Sequence, residues 1–364
     1  MGSKYSEPHV TTVDVLKALL TGWKITRKKR VDFQGKVVLI TGGSRGLGLA
    51  LAEEFALQGG RIVICSHEEE ELELARRRLA EQGANVLAIP CDMTQRDQVQ
   101  HLIDQATTHY GRIDILVNNA GIITVGPIEA QTLDDYEDSM RVIYWGAVHA
   151  TMAALPQMLE RKQGHIVNIS SIGGKVSVPH LLPYASAKFA LTGFSEGLYA
   201  ELKKKGIHVV TVIPGLMRTG SPVNAFFKGK HHAEYTWFDI ANSLPLLSIS
   251  AKKAARSIVK ATRKNKAQIT LTLPAKLLAR FHGLFPGLTM KIMSIADRLL
   301  PRAGEVQGLD RRTGKESETA LSQSFLTTLG QRAAQEYNQY ASQPSKSSLV
   351  AVSSDGVECG KESQ

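Results

Sequence analysis

Tyr184 and Lys188, in the run Tyr184-Ala185-Ser186-Ala187-Lys188, are four residues apart, and Ser171 stands upstream of them. On a helix that spacing puts both side chains on one face, one turn apart. A free tyrosine, with a pKa near ~10, is a poor acid or base at neutral pH. An ammonium held one turn away stabilises the phenolate and is expected to lower that pKa toward the working range. Ser171 can then hydrogen-bond a substrate oxygen beside the phenol. Taken alone, Tyr-x-x-x-Lys more often reads as a surface i,i+4 pair, of which helices hold many. The rest of the chain has to decide between the two readings.

Val37-Val38-Leu39-Ile40 is an apolar run without polar alternation, the pattern of a buried strand. It leads directly into Thr41-Gly42-Gly43-Ser44-Arg45-Gly46-Leu47-Gly48, and a helical pattern over Leu49 to Gln58 follows. Strand, Gly-rich turn and helix in that order form a dinucleotide site. The glycines let the backbone turn sharply and approach a pyrophosphate. The helix N-terminus supplies N–H donors and a favourable dipole.

Further strands are expected at Arg61–Cys65, Val86–Ile89, Ile113–Val117, His165–Ile169, Ile207–Ile213 and Gln268–Leu273. Helices are expected between them at Glu69–Glu81, Arg96–Tyr110, Leu133–Leu159, Tyr184–Lys204 and Lys252–Arg263. Apolar strands alternating with helices predict an α/β fold, a doubly wound parallel sheet with helices on both faces.

Composition bounds the rest. The 364 residues can bury a full core, and 43% hydrophobic and 21% charged content is ordinary for a globular protein. A net charge of +10 suits an anionic ligand, an anionic membrane surface or nucleic acid. The basic residues are scattered, however, and no nucleic-acid module is recognisable, so nucleic acid is not an expected partner. Cys65, Cys91 and Cys359 have no metal-ligand spacing; they read as reduced thiols in a cytoplasm-like compartment, and no metal site is expected. Neither a signal peptide nor an uncharged run of membrane-spanning length is recognisable.

Four regions follow. Residues 1–32 form a basic N-terminal arm, and 33–273 form the nucleotide-binding and catalytic domain. Residues 274–340 form an amphipathic helical extension, with one further helix expected from Glu316 to Tyr340. Residues 341–364, rich in Ser, Gly, Lys and Glu, are expected to be disordered. Between Pro274 and Pro301, large apolar residues interleave with Lys276, Arg280, Lys291 and Arg298, interrupted by Pro286-Gly287. That pattern suits packing on the domain, a homo-oligomer partner or a peripheral membrane contact.

With the Gly-rich turn, Ser171 and Tyr184-x-x-x-Lys188 in this order, the chain resembles the short-chain dehydrogenase/reductase family from about Phe33 to about Leu273. Thr41, Gly42, Gly46 and Gly48 match its Thr-Gly-x-x-x-Gly-x-Gly turn, with Ser44, Arg45 and Leu47 inside it. Asn118-Asn119-Ala120-Gly121 match its Asn-Asn-Ala-Gly segment. Asp92, with Met93 beside it, stands where the family holds the adenine ring. Ser171 lies thirteen residues before Tyr184, as the family pattern asks. Pro214-Gly215 and Thr219 match the segment contacting the nicotinamide carboxamide. The resemblance implies a Rossmann-type fold and hydride transfer to or from a nicotinamide. It implies that Tyr184 transfers the proton, Lys188 binds the ribose and lowers the tyrosine pKa, and Ser171 orients the carbonyl. One position departs: the family's usual Asn, three residues before Gly146, is Ile143 here. That Asn holds a proton-relaying water, and isoleucine has neither donor nor acceptor. Ser139 or Tyr144 could serve the water instead, or the proton path is impaired.

The residue closing the second strand discriminates between nucleotides. Ser66 stands where an Asp would select NAD; Arg45 can reach a 2′-phosphate, and His67 can assist. The acidic run Glu68–Glu71 reads as the first turn of the next helix. NADP is the expected cofactor. The expected activity is an NADP-dependent oxidoreductase acting on a secondary alcohol or ketone, in the cytoplasm or at a membrane surface. A non-catalytic or weakly active NADP-binding sensor or scaffold is the alternative, resting on Ile143. Phe226, Phe227, Tyr235, Trp237 and Phe238 after Thr219 would suit an apolar or lipid-like substrate, or form the packing core of a substrate lid.

Overall fold

Val37–Thr41 (β1) is buried along its whole length, as its uninterrupted apolar sequence requires of a strand covered on both faces. In the computed structural model, which describes residues 31–303, 309–324 and 327–340, β1 lies near the middle of a seven-stranded sheet. The arm expected over 1–32, but for Val31 and Asp32, and the tail from 341 lie outside the described residues. The other large-sheet strands are Arg61–Ser66 (β2), Val86–Pro90 (β3), Ile115–Asn118 (β4), Gly164–Ile169 (β6), Ile207–Ile213 (β7) and Gln268–Thr270 (β11). The short strand Thr124–Val125 (β5) lies outside this sheet. The order is β11-β7-β6-β4-β1-β2-β3, with every pairing parallel. Strand order reverses between β1 and β4, the topological switch point at which open α/β sheets bind ligands.

Helices cover both faces. Gly46–Ala56 (α1) and Ala251–Arg263 (α8) bring Leu49, Phe55, Ile258 and Val259 to one face of the sheet. Arg96–Tyr110 (α3) and Gly146–Glu160 (α5) bring Val99, Leu102, Ala150 and Ala154 to the other. Glu69–Glu81 (α2), Leu133–Ser139 (α4) and Leu182–Leu202 (α6) complete the alternation. The helix expected over Leu133–Leu159 is interrupted by a π-helical turn at Met140–Trp145.

The strand expected to reach Leu273 ends at Thr270. Thr272 accepts a hydrogen bond from the Ala275 amide at 3.3 Å and caps a new helix, Leu273–Leu284 (α9), with Pro274 in its first turn. Pro286 then starts Pro286–Asp297 (α10). The helix expected from Glu316 to Tyr340 is mostly not formed. Thr319 and Ser322 bond each other's backbone, which competes with helix, and among the described residues of this stretch only Thr328–Glu336 (α11) is α-helical. That helix packs against His231–Ser243 (α7): a Cβ at Gly330 would come within 2.3 Å of the Ser243 hydroxyl. Two small sheets remain beside the switch point. Leu216–Arg218 (β8) pairs with Ser248–Ser250 (β10), and Phe226–Phe227 (β9) lies between β5 and Arg312–Thr313 (β12).

Candidate active site

The Gly-rich turn carries its glycines where a side chain could not stand. Gly42 and Gly46 have φ of +61° and +58°, and a Cβ on Gly48 would lie 2.0 Å from the Gly42 carbonyl oxygen. The turn therefore closes directly onto the start of α1, whose N-terminal amides face the end of β1. Across the switch point, the Thr41 hydroxyl accepts from the Asn119 and Ala120 amides, each at 3.0 Å. The Asn119 side chain donates back to the carbonyls of Thr41 and Gly42, at 2.9 and 3.0 Å. Thr41 and Asn119 thus shape the cradle by lacing β1 to β4. Ser44 and Leu47 are buried beside them.

Beneath this lacing runs a buried polar chain. The Asn118 amide donates to Asn168 at 2.8 Å, the Asn168 amide donates to Ser195 at 2.9 Å, and Ser195 pairs with Thr211 at 2.7 Å. These bonds fix β4, β6, α6 and β7 relative to one another.

Tyr184 and Lys188 lie in the first two turns of α6, as their spacing predicted, with the Lys188 ammonium 5.6 Å from the centre of the Tyr184 ring. Ser171 follows β6; its hydroxyl oxygen accepts from the Gly173 amide at 3.0 Å. The three expected catalytic residues are brought together. The electrostatics differ from expectation. Burial pushes the Tyr184 phenol up, and the hydrogen bond from Ser171 pulls it partly back. Burial pushes Lys188 down to about 7, because the ammonium loses its hydration. The Lys188 ammonium donates to the Ile169 carbonyl at 2.7 Å rather than serving the phenol directly.

Ile143 sits in the π-helical turn, buried with Ala147, Ala187 and Leu191. A Cβ placed on Gly121 would lie 3.8 Å from the Lys188 nitrogen and 3.9 Å from an Ile143 methylene. Isoleucine and lysine thus line one small space. Nearby in sequence, the Ser139 hydroxyl is buried and has no hydrogen-bond partner among the described residues.

Around the rest of the cleft, Asp92 accepts from the Thr94 amide at 2.9 Å, and its own amide donates to Gln98 at 2.9 Å. Met93 turns inward: its sulfur lies 3.9 Å from Cys65 and 4.0 Å from Cys91, both free thiols. The Pro214 carbonyl accepts from the Ile172 amide at 2.7 Å. A Cβ on Gly215 would lie 2.2 Å from the Thr272 hydroxyl, so α9 packs directly on that turn. Thr219 is buried.

At the second-strand selector the side chains are already engaged with neighbours. Ser66 is buried at the end of β2 and its hydroxyl accepts from the Glu68 amide at 3.3 Å. His67 is exposed and pairs with Glu68 at 3.2 Å. Arg45 is not a waiting cation: one guanidinium nitrogen lies 2.7 and 2.9 Å from the two carboxylate oxygens of the buried Glu71. Glu71 does more than complement a helix dipole.

The aromatics after Thr219 are also resolved. Phe227, Tyr235 and Phe238 are buried against one another and Val125, and Trp237 donates to Glu234 at 2.7 Å. They form a small packing core of their own, on the segment expected to serve as a lid. Two clusters that hold this segment have no counterpart in the sequence pattern. Lys228 donates to Asp135 at 2.6 Å, and Arg311 donates to Asp135 and Asp138, each at 2.6 Å. Burial works against the Asp135 charge, yet bonds from Lys228, the Thr132 amide and Arg311 hold its pKa below the usual range. His180 meets Glu234 at 2.8 Å and Asp297, at the end of α10, at 3.6 Å. Partners this far apart in sequence leave no spacing signal.

Comparison with known proteins agrees with this geometry. A family model described as short chain dehydrogenase matches residues 36–226. The chain is 37% identical over 262 residues to a dehydrogenase/reductase SDR family protein 7-like of Anopheles gambiae, covering 71% of this chain and 80% of that protein. It is 32% identical over 282 residues to a fatty acyl-CoA reductase of Acinetobacter baylyi, covering 77% and 90%. A short-chain dehydrogenase/reductase from Burkholderia phymatum, solved in complex with NAD, superposes with a TM-score of 0.64 at 25% identity, covering 71% of this chain and 96% of that one. With the Gly-rich turn at the sheet's switch point and Ser171, Tyr184 and Lys188 gathered beside it, the chain belongs to the short-chain dehydrogenase/reductase family of oxidoreductases.

Proposed function

We propose that this protein is an NADP-dependent oxidoreductase that interconverts a secondary alcohol and a ketone, with an apolar or lipid-like substrate. The observation that carries the reading is the joint placement of Ser171, Tyr184 and Lys188 beside the glycine cradle. A reduced nicotinamide bound there would supply the hydride. The Ser171 hydroxyl holds the carbonyl oxygen. The Tyr184 phenol, kept protonated by burial, is poised as the acid that gives this oxygen its proton. Lys188 binds the ribose; an added negative charge nearby, such as a phosphate, raises its pKa and favours the ammonium.

For NADP, the supporting features are the small Ser66 and the position of Arg45 in the turn. Binding of a 2′-phosphate requires Arg45 to exchange Glu71 for the phosphate, or to hold both. The lid aromatics give no support to an apolar substrate. What supports it is the exposed apolar surface of α9 and α10 and the likeness to a fatty acyl-CoA reductase. Leu284, Phe285, Leu288 and Ile295 are exposed there, with Lys276, Arg280, Lys291 and Arg298 among them. Apolar residues interleaved with cations suit an anionic membrane surface. The same face joining two copies into a homo-oligomer is the competing outcome. Among the described residues, no helix is long and apolar enough to cross a membrane. The test is ketone reduction with NADPH and NADH, alongside direct binding of both. Equal dissociation constants would end the NADP assignment.

A second reading rests on Ile143: a nucleotide-binding sensor or scaffold with little turnover. Tight nucleotide binding without reduction across a broad panel of ketones would favour it.

A further inference from the structure

Residues 337–340 leave the end of α11 and cross from one bank of the cleft to the other. On the first bank, the Gly46 amide donates to the Tyr337 carbonyl at 2.9 Å, and the Asn338 side chain donates to the Ser44 carbonyl at 3.3 Å. On the second, the Gln339 side chain donates to the Thr219 carbonyl at 3.1 Å. Asn224, just past Thr219, donates to both the backbone carbonyl and the side-chain oxygen of Gln339, at 2.8 and 2.7 Å. The fit is close: a Cβ on Gly46 would lie 2.8 Å from the Gln339 nitrogen, and one on Gly220 would lie 2.3 Å from the Ala334 α-carbon.

One bank is the N-terminal end of α1, the kind of helix end that binds phosphate. The other is the loop that follows β7, on the far side of the switch point. A dinucleotide laid along the ends of the strands must run between these banks. The strap therefore crosses its path, and it already takes the Gly46 amide.

We propose that residues 337–340 are a gate on nucleotide exchange: the strap opens to admit the dinucleotide, closes across its middle, and must open again to release it. The attachment suits a gate. It is made of hydrogen bonds, several to backbone carbonyls, which break and reform one at a time. The hinge side is held more firmly, since Tyr337 is buried under the Arg78 guanidinium and Ala333 and Ala334 are buried on the domain. A gate of this kind changes association and dissociation rates together and the equilibrium constant less. This inference rests on the nicotinamide-nucleotide reading given above.

The test is stopped-flow fluorescence of NADPH binding, and of its release into excess NADP, for the full chain and for Asn224→Ala, Gln339→Ala and the double variant. Loss of these bonds should speed both association and dissociation about fivefold to thirtyfold in the double variant. The single variants should fall between. Hydrogen exchange at the Gly46 amide, read without nucleotide, should quicken in the same order. Unchanged rates with wild-type affinity would make the strap a static buttress and overturn the gate. So would faster association with unchanged release, which is the behaviour of a competitor occupying the nucleotide's place. If the wild-type chain binds neither NADPH nor NADH, the nucleotide reading fails and the gate falls with it.

Discussion

Every residue of β1 is buried, whereas α9 buries only Ala275 and α10 only Thr289. Leu284 and Leu299 are 73% and 85% exposed, in a segment dense in large apolar side chains. The sheet is covered within the chain: helices pack on both faces, and a buried relay of side-chain hydrogen bonds runs from Asn118 to Thr211. Among the described residues α9 and α10 leave their apolar side chains uncovered, a surface of the kind that suits a contact with something else. On the function proposed above, chemistry belongs to the sheet's switch point, and partner choice and access belong to the segments after Thr270.

The most severe break in that division is expected from Tyr184→Phe. Turnover should fall by at least ~10²-fold to 10⁴-fold, the usual worth of a positioned acid. Nucleotide affinity and melting temperature should stay near wild type, because Phe fills the same volume. Ketone reduction at the wild-type rate would remove the chemistry from the switch point. On the other region, replacing Leu284, Leu288 and Ile295 together by Ser should abolish sedimentation with vesicles containing phosphatidylserine and leave turnover of a water-soluble ketone intact. A change in oligomeric state without any vesicle binding in the wild type would instead identify the face as a subunit interface.

Arg45 and Glu71 sharpen the comparison inside the sheet domain. Arg45→Ala should weaken NADPH about tenfold or more with little effect on NADH, since charge-assisted bonds to phosphate are lost. Glu71→Gln should do the reverse by loosening the guanidinium. Equal responses for the two nucleotides would remove Arg45 from 2′-phosphate recognition.

Lys188 gives a stability signature. Its folded pKa, about 7, lies below the unfolded value near ~10.4. Between these values the unfolded chain holds a proton that the folded chain does not, so stability rises with pH across that window. The slope due to this group approaches ~1.4 kcal/mol per pH unit. Below about pH 7 both states are charged and the cost of the buried ammonium is fully present. Stability of the wild type minus that of Lys188→Met should therefore climb from about pH 7 to pH 10; a flat difference would mean the ammonium is not desolvated. The smallest effect is expected for Ile143→Asn. It puts an amide among Ala147, Ala187 and Leu191, so melting temperature should drop, while turnover should rise a fewfold if a relay through Lys188 is limiting. Lower stability with an unchanged rate and pH profile would show that Ile143 only packs.

The sheet was legible in the sequence because strands buried on both faces announce themselves as apolar runs, and the catalytic spacing was legible because Tyr184 and Lys188 share one helix. The strand ends were less so: Ile113 is as apolar as Ile115, yet pairing begins at Ile115, and Thr272 turns from apparent strand end to helix cap. The Arg45–Glu71 pair, the Lys228–Asp135–Arg311 cluster and the strap at Gln339 could not be read at all. Each joins residues that only the finished fold brings together, and residues 302–340 carry too little apolar periodicity to show where they return.

The π-helical turn at Met140–Trp145 has a bearing on how such a chain can change. A turn of this kind holds one residue more than the α-helix around it, so it shifts the phase of everything after it by about 100°. Deleting a single residue there would restore a continuous α-helix from Leu133 to Glu160 and swing α5 off the sheet, or else swing Ile143 away from Lys188. Length at this point is therefore under tighter constraint than identity: substitutions at Ile143 alter one side chain, whereas a one-residue deletion re-aims a whole helix.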